Sequence, residues 1–137
     1  ATHDTEIWLD GGHNPGAGKV VAEAMANREE ADPRPLFVIA GMLNTKEPIG
    51  YFEPFAGIAR HVFTVPLHTS DAGLDPVALA SDAAEAGLSA EAADNVESAM
   101  RTIAQTWSEE NNPPRILIGG SLYLVGEVLK LNGTPPQ

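Results

Sequence analysis

The chain contains no cysteine. That single absence removes a disulfide framework, a thiolate zinc site and a thiol nucleophile. Basic residues are scarce: eight Lys and Arg stand against nineteen Asp and Glu, for a formal net charge of −11. Nucleic-acid binding displaces counterions with a clustered basic footprint, which eight scattered cations do not form. The same arithmetic speaks against an anionic membrane surface, and the acidity reads as a source of solubility. There is no apolar run long enough to span a bilayer. Nor is there a leader of basic, then apolar, then small residues. The expectation is a soluble, cytoplasmic protein with neither nucleic acid nor membrane as partner. An initiator methionine is missing as well: the chain opens Ala1-Thr2-His3-Asp4. A removed methionine and excision from a longer chain explain that start equally well. The closing "NGTPPQ" reads as a frayed tail.

A P-loop is also absent, although one stretch imitates it. "LDGGHNPGAGKVV", residues 9–21, offers glycines, a lysine and a valine run that could open a helix. A P-loop needs a glycine, four residues, then Gly-Lys-Ser/Thr, because its backbone cradles phosphates and its hydroxyl holds magnesium. Five residues before Gly18 stands His13, and Lys19 is followed by Val20, which has no hydroxyl. Both ends of the pattern fail.

What is present is an alternation of short apolar runs with helical periodicity across 137 residues, one domain's worth of chain. Strands are expected at Glu6 to Asp10, Leu36 to Ala40, His61 to Val65 and Arg115 to Ile118. Ala17, Val20, Val21, Ala24 and Met25 fall on one face of a first helix. A weaker helix around Tyr51, Phe52, Phe55 and Ile58 is interrupted by Pro54. Asp75-Pro76 opens a third helix that Gly87 ends. Asp94 and Glu97 resemble a capping box ahead of a stripe of Val96, Ala99, Met100, Ile103 and Trp107. A last helix runs from Ser121 to about Leu131, with Gly133 closing it. No repeat, low-complexity tract or dividing linker interrupts this order. The pattern predicts a three-layer αβα domain, with a mostly parallel sheet covered by helices on both faces.

In such sheets ligands sit beyond the carboxyl ends of the strands. Three junctions lie there: Asp10 to Pro15, Gly41 to Glu47, and Gly119 to Tyr123. In the first, Gly11 and Gly12 permit a turn, Asn14 suits an N-cap and Pro15 the first helical position. A helix N-terminus at that edge attracts anions without a P-loop. Asp10 can accept hydrogen bonds from ribose hydroxyls, or it caps its own turn. His13 can donate to a phosphate or carboxylate, or it faces solvent. Lys19, one turn into the helix, is expected to be solvated. Lys46 is a lone cation near the same edge. Ser121 suits an N-cap and could also donate to a ligand carboxylate. No Ser-His-Asp arrangement is evident, and His3, His13, His61 and His68 lack metal-ligand spacing. Apart from His13 they read as surface residues.

Three segments together carry more than periodicity does. "LDGGHNPGA" near the start, "AGMLNTKE" after the second strand and "GGSLYLVGEVL" near the end fall in that order. They resemble signature segments of the C-terminal domain of the folylpolyglutamate synthase/dihydrofolate synthase family, within the wider group of Mur-type peptide ligases. The resemblance covers essentially the whole chain but only the last third of the family's usual length. It implies a Rossmann-like αβα fold and one domain of a longer ligase, its N-terminal and central ATPase domains lying outside this sequence. It also implies an ATP-dependent reaction in which a folate or dihydropteroate carboxylate is phosphorylated and glutamate attacks the acyl phosphate. In that family the central domain supplies the P-loop and the magnesium ligands, and the C-terminal domain closes over the nucleotide as lids do.

By the same resemblance, Asp10 matches an aspartate that contacts the nucleotide, His13 and Asn14 follow in its motif, and His13 stands near the terminal phosphate and the acceptor glutamate. Ser121 matches a serine expected to contact glutamate, with Tyr123 close by, and Lys46 matches the lysine of the middle segment. Gly12 stands where alanine is commoner, a change expected only to loosen the turn, and Glu47 stands where aspartate is more usual. The isolated domain is expected to be inactive. A free-standing αβα module that binds a nucleotide or small anion without catalysis is the alternative, and the equivalent domain of a cell-wall ligase is a third reading.

Overall fold

The computed structural model describes residues 5–44, 47–107 and 113–131. Five strands form one sheet: β1 (Glu6–Asp10), β2 (Leu36–Ala40), β3 (His61–Thr64), β4 (Ala90–Ala92) and β5 (Arg115–Gly119). Their spatial order is β1-β5-β2-β3-β4, and every neighbouring pair is parallel. Five helices complete the described chain: α1 (Pro15–Ala31), α2 (Pro48–Phe52), α3 (Pro76–Glu85), α4 (Val96–Thr106) and α5 (Leu122–Leu131).

Alternation along β2 shows how the layers are built. Val38 and Ala40 pack with Met25 of α1, Phe52 of α2 and Leu79 of α3. Phe37 and Ile39, pointing the other way, pack with Ile103 of α4 and Leu124 of α5. All five residues of β2 and of β5 are buried, as strands sandwiched between two helical layers must be. Each large side chain so enclosed contributes on the order of 1.5–3 kcal/mol.

The expected αβα architecture is present, with several local differences. β4 is an addition to the expected strands, since Ala-Glu-Ala carries no strand pattern. It forms through backbone pairing, with Val62 donating to the Ser89 carbonyl at 2.9 Å and Ala93 to that of Thr64 at 2.8 Å. The cap of α4 is Asn95, not Asp94, because the extended backbone at Asn95 lets its side chain accept from the Ser98 amide. Pro54 cuts the second helix after Phe52 and leaves a 3-10 turn, Glu53–Phe55. Most of the expected face of the first helix does turn inward: Met25 is buried, and Val21 and Ala24 pack on the core. Val20 departs from it at 67% exposed, while Gly18 and Ala22 are buried, Gly18 directly against the Tyr51 carbonyl. β1 is a sheet edge whose Ile7, Trp8 and Leu9 remain exposed, so two-sided coverage fails there. Gly133 lies outside the described residues.

At the N-terminal end of the sheet, Arg115 is 1% exposed yet surrounded by partners. Its Nε donates to Glu6, and its terminal nitrogen donates to the Asp32 carbonyl at 2.8 Å. Arg28 donates to the other Glu6 oxygen at 2.8 Å, and Trp8 Nε1 donates to Glu6 as well. These contacts, the Arg28 hydrogen bond foremost, outweigh desolvation and hold the Glu6 carboxyl at about 2, below its ordinary 4.5. Arg34 pairs with Asp32 at 2.8 Å. This end of the sheet is a structural clamp across β1, β5 and α1.

Candidate functional site

The other end of the sheet is built from turns. β1 and β5 run parallel in register, so Asp10 stands opposite Gly119. From Asp10 the chain leaves to α1 on one face; from Gly119 it leaves to α5 on the other. β5 also lies beside β2, whose chain departs to the α1 face. Neighbouring strands whose connections diverge in this way leave a crevice at their carboxyl ends, where ligands bind in open α/β sheets.

The first turn is held from within. Asp10 Oδ2 accepts from the Gly12 amide at 3.0 Å. A Cβ on Gly12 would stand 2.8 Å from that same oxygen. Gly12 therefore does more than loosen the turn, because a side chain there would press on the Asp10 carboxylate. Asn14 caps α1, its side-chain oxygen accepting from Ala17 at 2.8 Å, while the Gly18 amide bonds the Asn14 carbonyl at 3.0 Å. Pro15 has no amide proton to offer. The cap thus leaves Gly16 as the donor of the first turn, fewer free amides than a bare helix start would present. His13 is half-buried, and its Nδ1 is buried with no hydrogen-bond partner among the described residues.

The last signature makes the second turn. Gly120 takes a φ of +97°, a conformation that favours glycine. Ser121 is 2% exposed, and its hydroxyl oxygen accepts from the Tyr123 amide at 3.0 Å. It is therefore the N-cap of α5, and among the described residues its hydroxyl proton is given to no acceptor. Tyr123 is half exposed. Leu122 packs directly on Gly11, so the first and last signatures are in contact.

Asp10 and the Gly119-Gly120-Ser121 turn are thus brought together, with His13 and Asn14 following Asp10 in its own turn. Lys46 lies outside the described residues, as does His3. Lys19 is exposed, as expected. His61 is not a plain surface residue: its ring nitrogens meet Ser89 at 2.8 Å and Glu91 at 3.0 Å. Among the described residues no group of three or more His, Asp and Glu could hold a metal ion, and no helix is long and apolar enough to cross a membrane.

Tyr51 is the residue that sequence reasoning misses. Periodicity makes it one apolar face position among phenylalanines, yet its hydroxyl arrives beneath this edge, where a Cβ on Gly119 would stand 2.8 Å from it. Burial, with the nearby Asp10 charge adding, pushes its pKa well above the ordinary 10; the Gly120 amide acts the other way without completing a hydrogen bond. A tyrosine inside a Tyr-Phe-x-x-Phe run is the available signal. A groove of about 520 Å³ lies elsewhere, lined by residues such as Glu29, Arg34, Ile58 and Arg60 near the arginine clamp.

No curated protein matches the chain. Solved structures do. A Mycobacterium tuberculosis folylpolyglutamate synthase complexed with ADP and AMPPCP aligns at a TM-score of 0.79 and 22% identity, over 96% of this chain and 30% of that one. E. coli FolC in complex with DHPP and ADP aligns at 0.73 and 19% identity, over 93% and 28%. A bifunctional folylpolyglutamate synthase/dihydrofolate synthase with Mn, AMPPNP and L-glutamate bound aligns at 0.73 and 21%, over 97% and 30%. The chain spans about 30% of the length of these structures, and at such identities they share its fold. The family model for the C-terminal domain of dihydrofolate synthetase matches residues 1–131. With nearly the whole chain inside that match, the protein belongs to the dihydrofolate synthetase C-terminal domain family.

Proposed function

We propose that this chain is the nucleotide- and glutamate-facing domain of an ATP-dependent ligase that joins glutamate to folate or dihydropteroate. The substrate carboxylate attacks the terminal phosphorus of ATP and releases ADP. The glutamate amine then attacks the acyl carbon, phosphate leaves, and the amine gives up its proton. A free carboxylate is a poor electrophile, which is why the phosphate is needed. The observation that carries the reading is the meeting of the two glycine signatures at one crevice, with Asp10 opposite Gly119. Solved relatives of this fold hold ADP, AMPPNP and L-glutamate.

In this reading Asp10 accepts from the ribose hydroxyls, and His13, whose Nδ1 has no partner among the described residues, donates toward the terminal phosphate or the incoming glutamate. Asn14 fixes the helix start beside them. Ser121 supplies its hydroxyl proton to glutamate, and Tyr123 flanks it on the exposed side; Lys46 belongs to the same edge. Magnesium is held mainly by the central domain, and the enzyme works in the cytoplasm. The chain's charge of −11 opposes three anionic ligands. Screening limits that repulsion to about 8–10 Å, so local donors and the cations of the other domains decide.

The test is an assay of the complete ligase that carries this segment. Sustained ADP production over many turnovers should require both glutamate and a folate or dihydropteroate acceptor, and His13→Ala should remove it. The 137-residue chain alone should turn over no ATP. Turnover by the pure chain, or a complete enzyme indifferent to glutamate, would overturn the reading.

A further inference from the structure

Tyr51 is wholly buried, and its ring packs on Phe52 and Phe55 with centroids 5.6 Å and 5.7 Å away. For that packing a phenylalanine would serve. The hydroxyl is the unexplained part: among the described residues it completes no hydrogen bond. A buried polar group left so costs stability that a phenylalanine would not. Its position is specific, because it lies against Gly119 on the α2 side of the sheet, and Gly119 stands opposite Asp10. Asp10 has Oδ2 engaged by the Gly12 amide, and its other oxygen accepts nothing from the described residues.

We propose that Tyr51 is a positioning residue whose hydroxyl donates to the Asp10 carboxylate when nucleotide engages it, holding that carboxylate toward the ribose and tying the first signature to the Gly119-Gly120 turn. This rests on the assignment of Asp10 to the ribose. Burial and the Asp10 charge both favour the protonated phenol, so the group remains a donor at neutral pH. Gly12 and Tyr51 then hold the carboxylate from two sides. A carboxylate fixed by two donors presents its remaining lone pairs in one direction, which is pre-organisation rather than direct contact.

The experiment compares ATP with 2′,3′-dideoxy-ATP in the complete ligase, for the wild type and Tyr51→Phe, together with the melting temperature of each without nucleotide. In the wild type, loss of the ribose hydroxyls should raise KM about 10- to 100-fold, the scale of hydrogen bonds to a charged group. Tyr51→Phe should raise KM for ATP about 5-fold or more and shrink the ribose penalty to under about 3-fold, on the same scale. Its melting temperature should not fall. Asp10→Asn should show the same reduced penalty, and the double variant should add nothing further.

An unchanged ribose penalty in Tyr51→Phe would overturn the positioning role while leaving the Asp10 assignment standing. No ribose penalty in the wild type would remove the Asp10 assignment, and the proposal with it. A melting temperature several degrees lower in Tyr51→Phe would show that the hydroxyl already serves the unliganded fold, and would also overturn the proposal. Failure of Tyr51→Phe to fold would overturn it for the same reason.

Discussion

At the N-terminal end of the sheet, the polar groups are matched to one another: Glu6 receives Arg28, Arg115 and Trp8, and Arg115 also reaches the Asp32 carbonyl. At the carboxyl end, the Tyr51 hydroxyl and His13 Nδ1 are buried without partners among the described residues. Among the described residues the first end has one unmatched atom of its own, Arg28 Nε, but every carboxylate in the cluster faces a cation. The same sheet thus carries a clamp at one end and unused donors and acceptors at the other. Polar groups spent on each other stabilise the fold, whereas polar groups kept waiting are what a ligand can complete.

The largest stability effect should come from breaking the clamp. Arg115→Met would leave Glu6 short of its buried partner and the Asp32 carbonyl without its donor. Removing one member of a fully buried pair costs about 3–5 kcal/mol; with Glu6 partly exposed and still held by Arg28, the loss should be about 2–3 kcal/mol, and a domain of this size should melt roughly 5–10 °C lower. Urea denaturation checks it. A loss below about 1 kcal/mol would mean that the cluster behaves like an exposed pair.

Next in size is the packing that carries Tyr51 to its place. Gly18→Ala would drive a methyl group into the Tyr51 backbone carbonyl, which cannot swing aside as a side chain could. Overpacking of this kind costs about 1–3 kcal/mol, reduced by the up to about 1 kcal/mol that alanine gains over glycine inside a helix. Denaturation midpoints should fall, and the ribose discrimination assigned to Tyr51 should weaken with them.

These two ends are unequally legible in the sequence. β2 and β5 announce themselves because they are buried on both faces and read as unbroken apolar runs. β4 is invisible because its Ala-Glu-Ala carries no apolar alternation and is held by backbone pairing and the Glu91–His61 contact, neither of which periodicity registers. Periodicity finds the inward face of α1 through Val21, Ala24 and Met25 but passes over Gly18, because glycine has no hydropathy signal, yet Gly18 lies directly against the Tyr51 carbonyl of α2. The glycine turns and their caps can be read, since Asn14 and Ser121 act locally. Tyr51 and the clamp cannot. Arg115 meets Glu6 across a separation of 109 residues, and the Tyr51 hydroxyl finds Gly119 across the width of a strand. Periodicity says which face is buried, but not where a polar tip inside that face ends up.

The clamp also sets a pH dependence. Glu6 is depressed in the folded state, so the stability it contributes is complete above about pH 4.5 and is lost as pH falls toward about 2. Allowing for solvent screening of a partly exposed carboxylate, its size is no more than about 2 kcal/mol. The stability difference between the wild type and Glu6→Gln should therefore be constant from neutral pH down to about 5, then shrink progressively in more acidic solution. A difference that instead grew as the pH fell would reverse the sign of the linkage and remove Glu6 from the clamp.

The smallest stability effect should come from the end to which the nucleotide is assigned. Asp10→Asn keeps the shape of the side chain, and its amide oxygen can still accept from Gly12, so what is lost is the charge on one hydrogen bond. That costs the fold about 1 kcal/mol or less. The same substitution should raise KM for ATP in the complete ligase about 10- to 100-fold, because an amide accepts from ribose hydroxyls less strongly than a carboxylate. Denaturation and kinetics on one variant thus separate the ends of the sheet: Arg115→Met costs stability with nucleotide recognition intact in whatever remains folded, and Asp10→Asn does the reverse. If Asp10→Asn unfolded the domain as readily as Arg115→Met, the carboxylate would belong to the scaffold, and the crevice would lose the group on which its nucleotide reading depends.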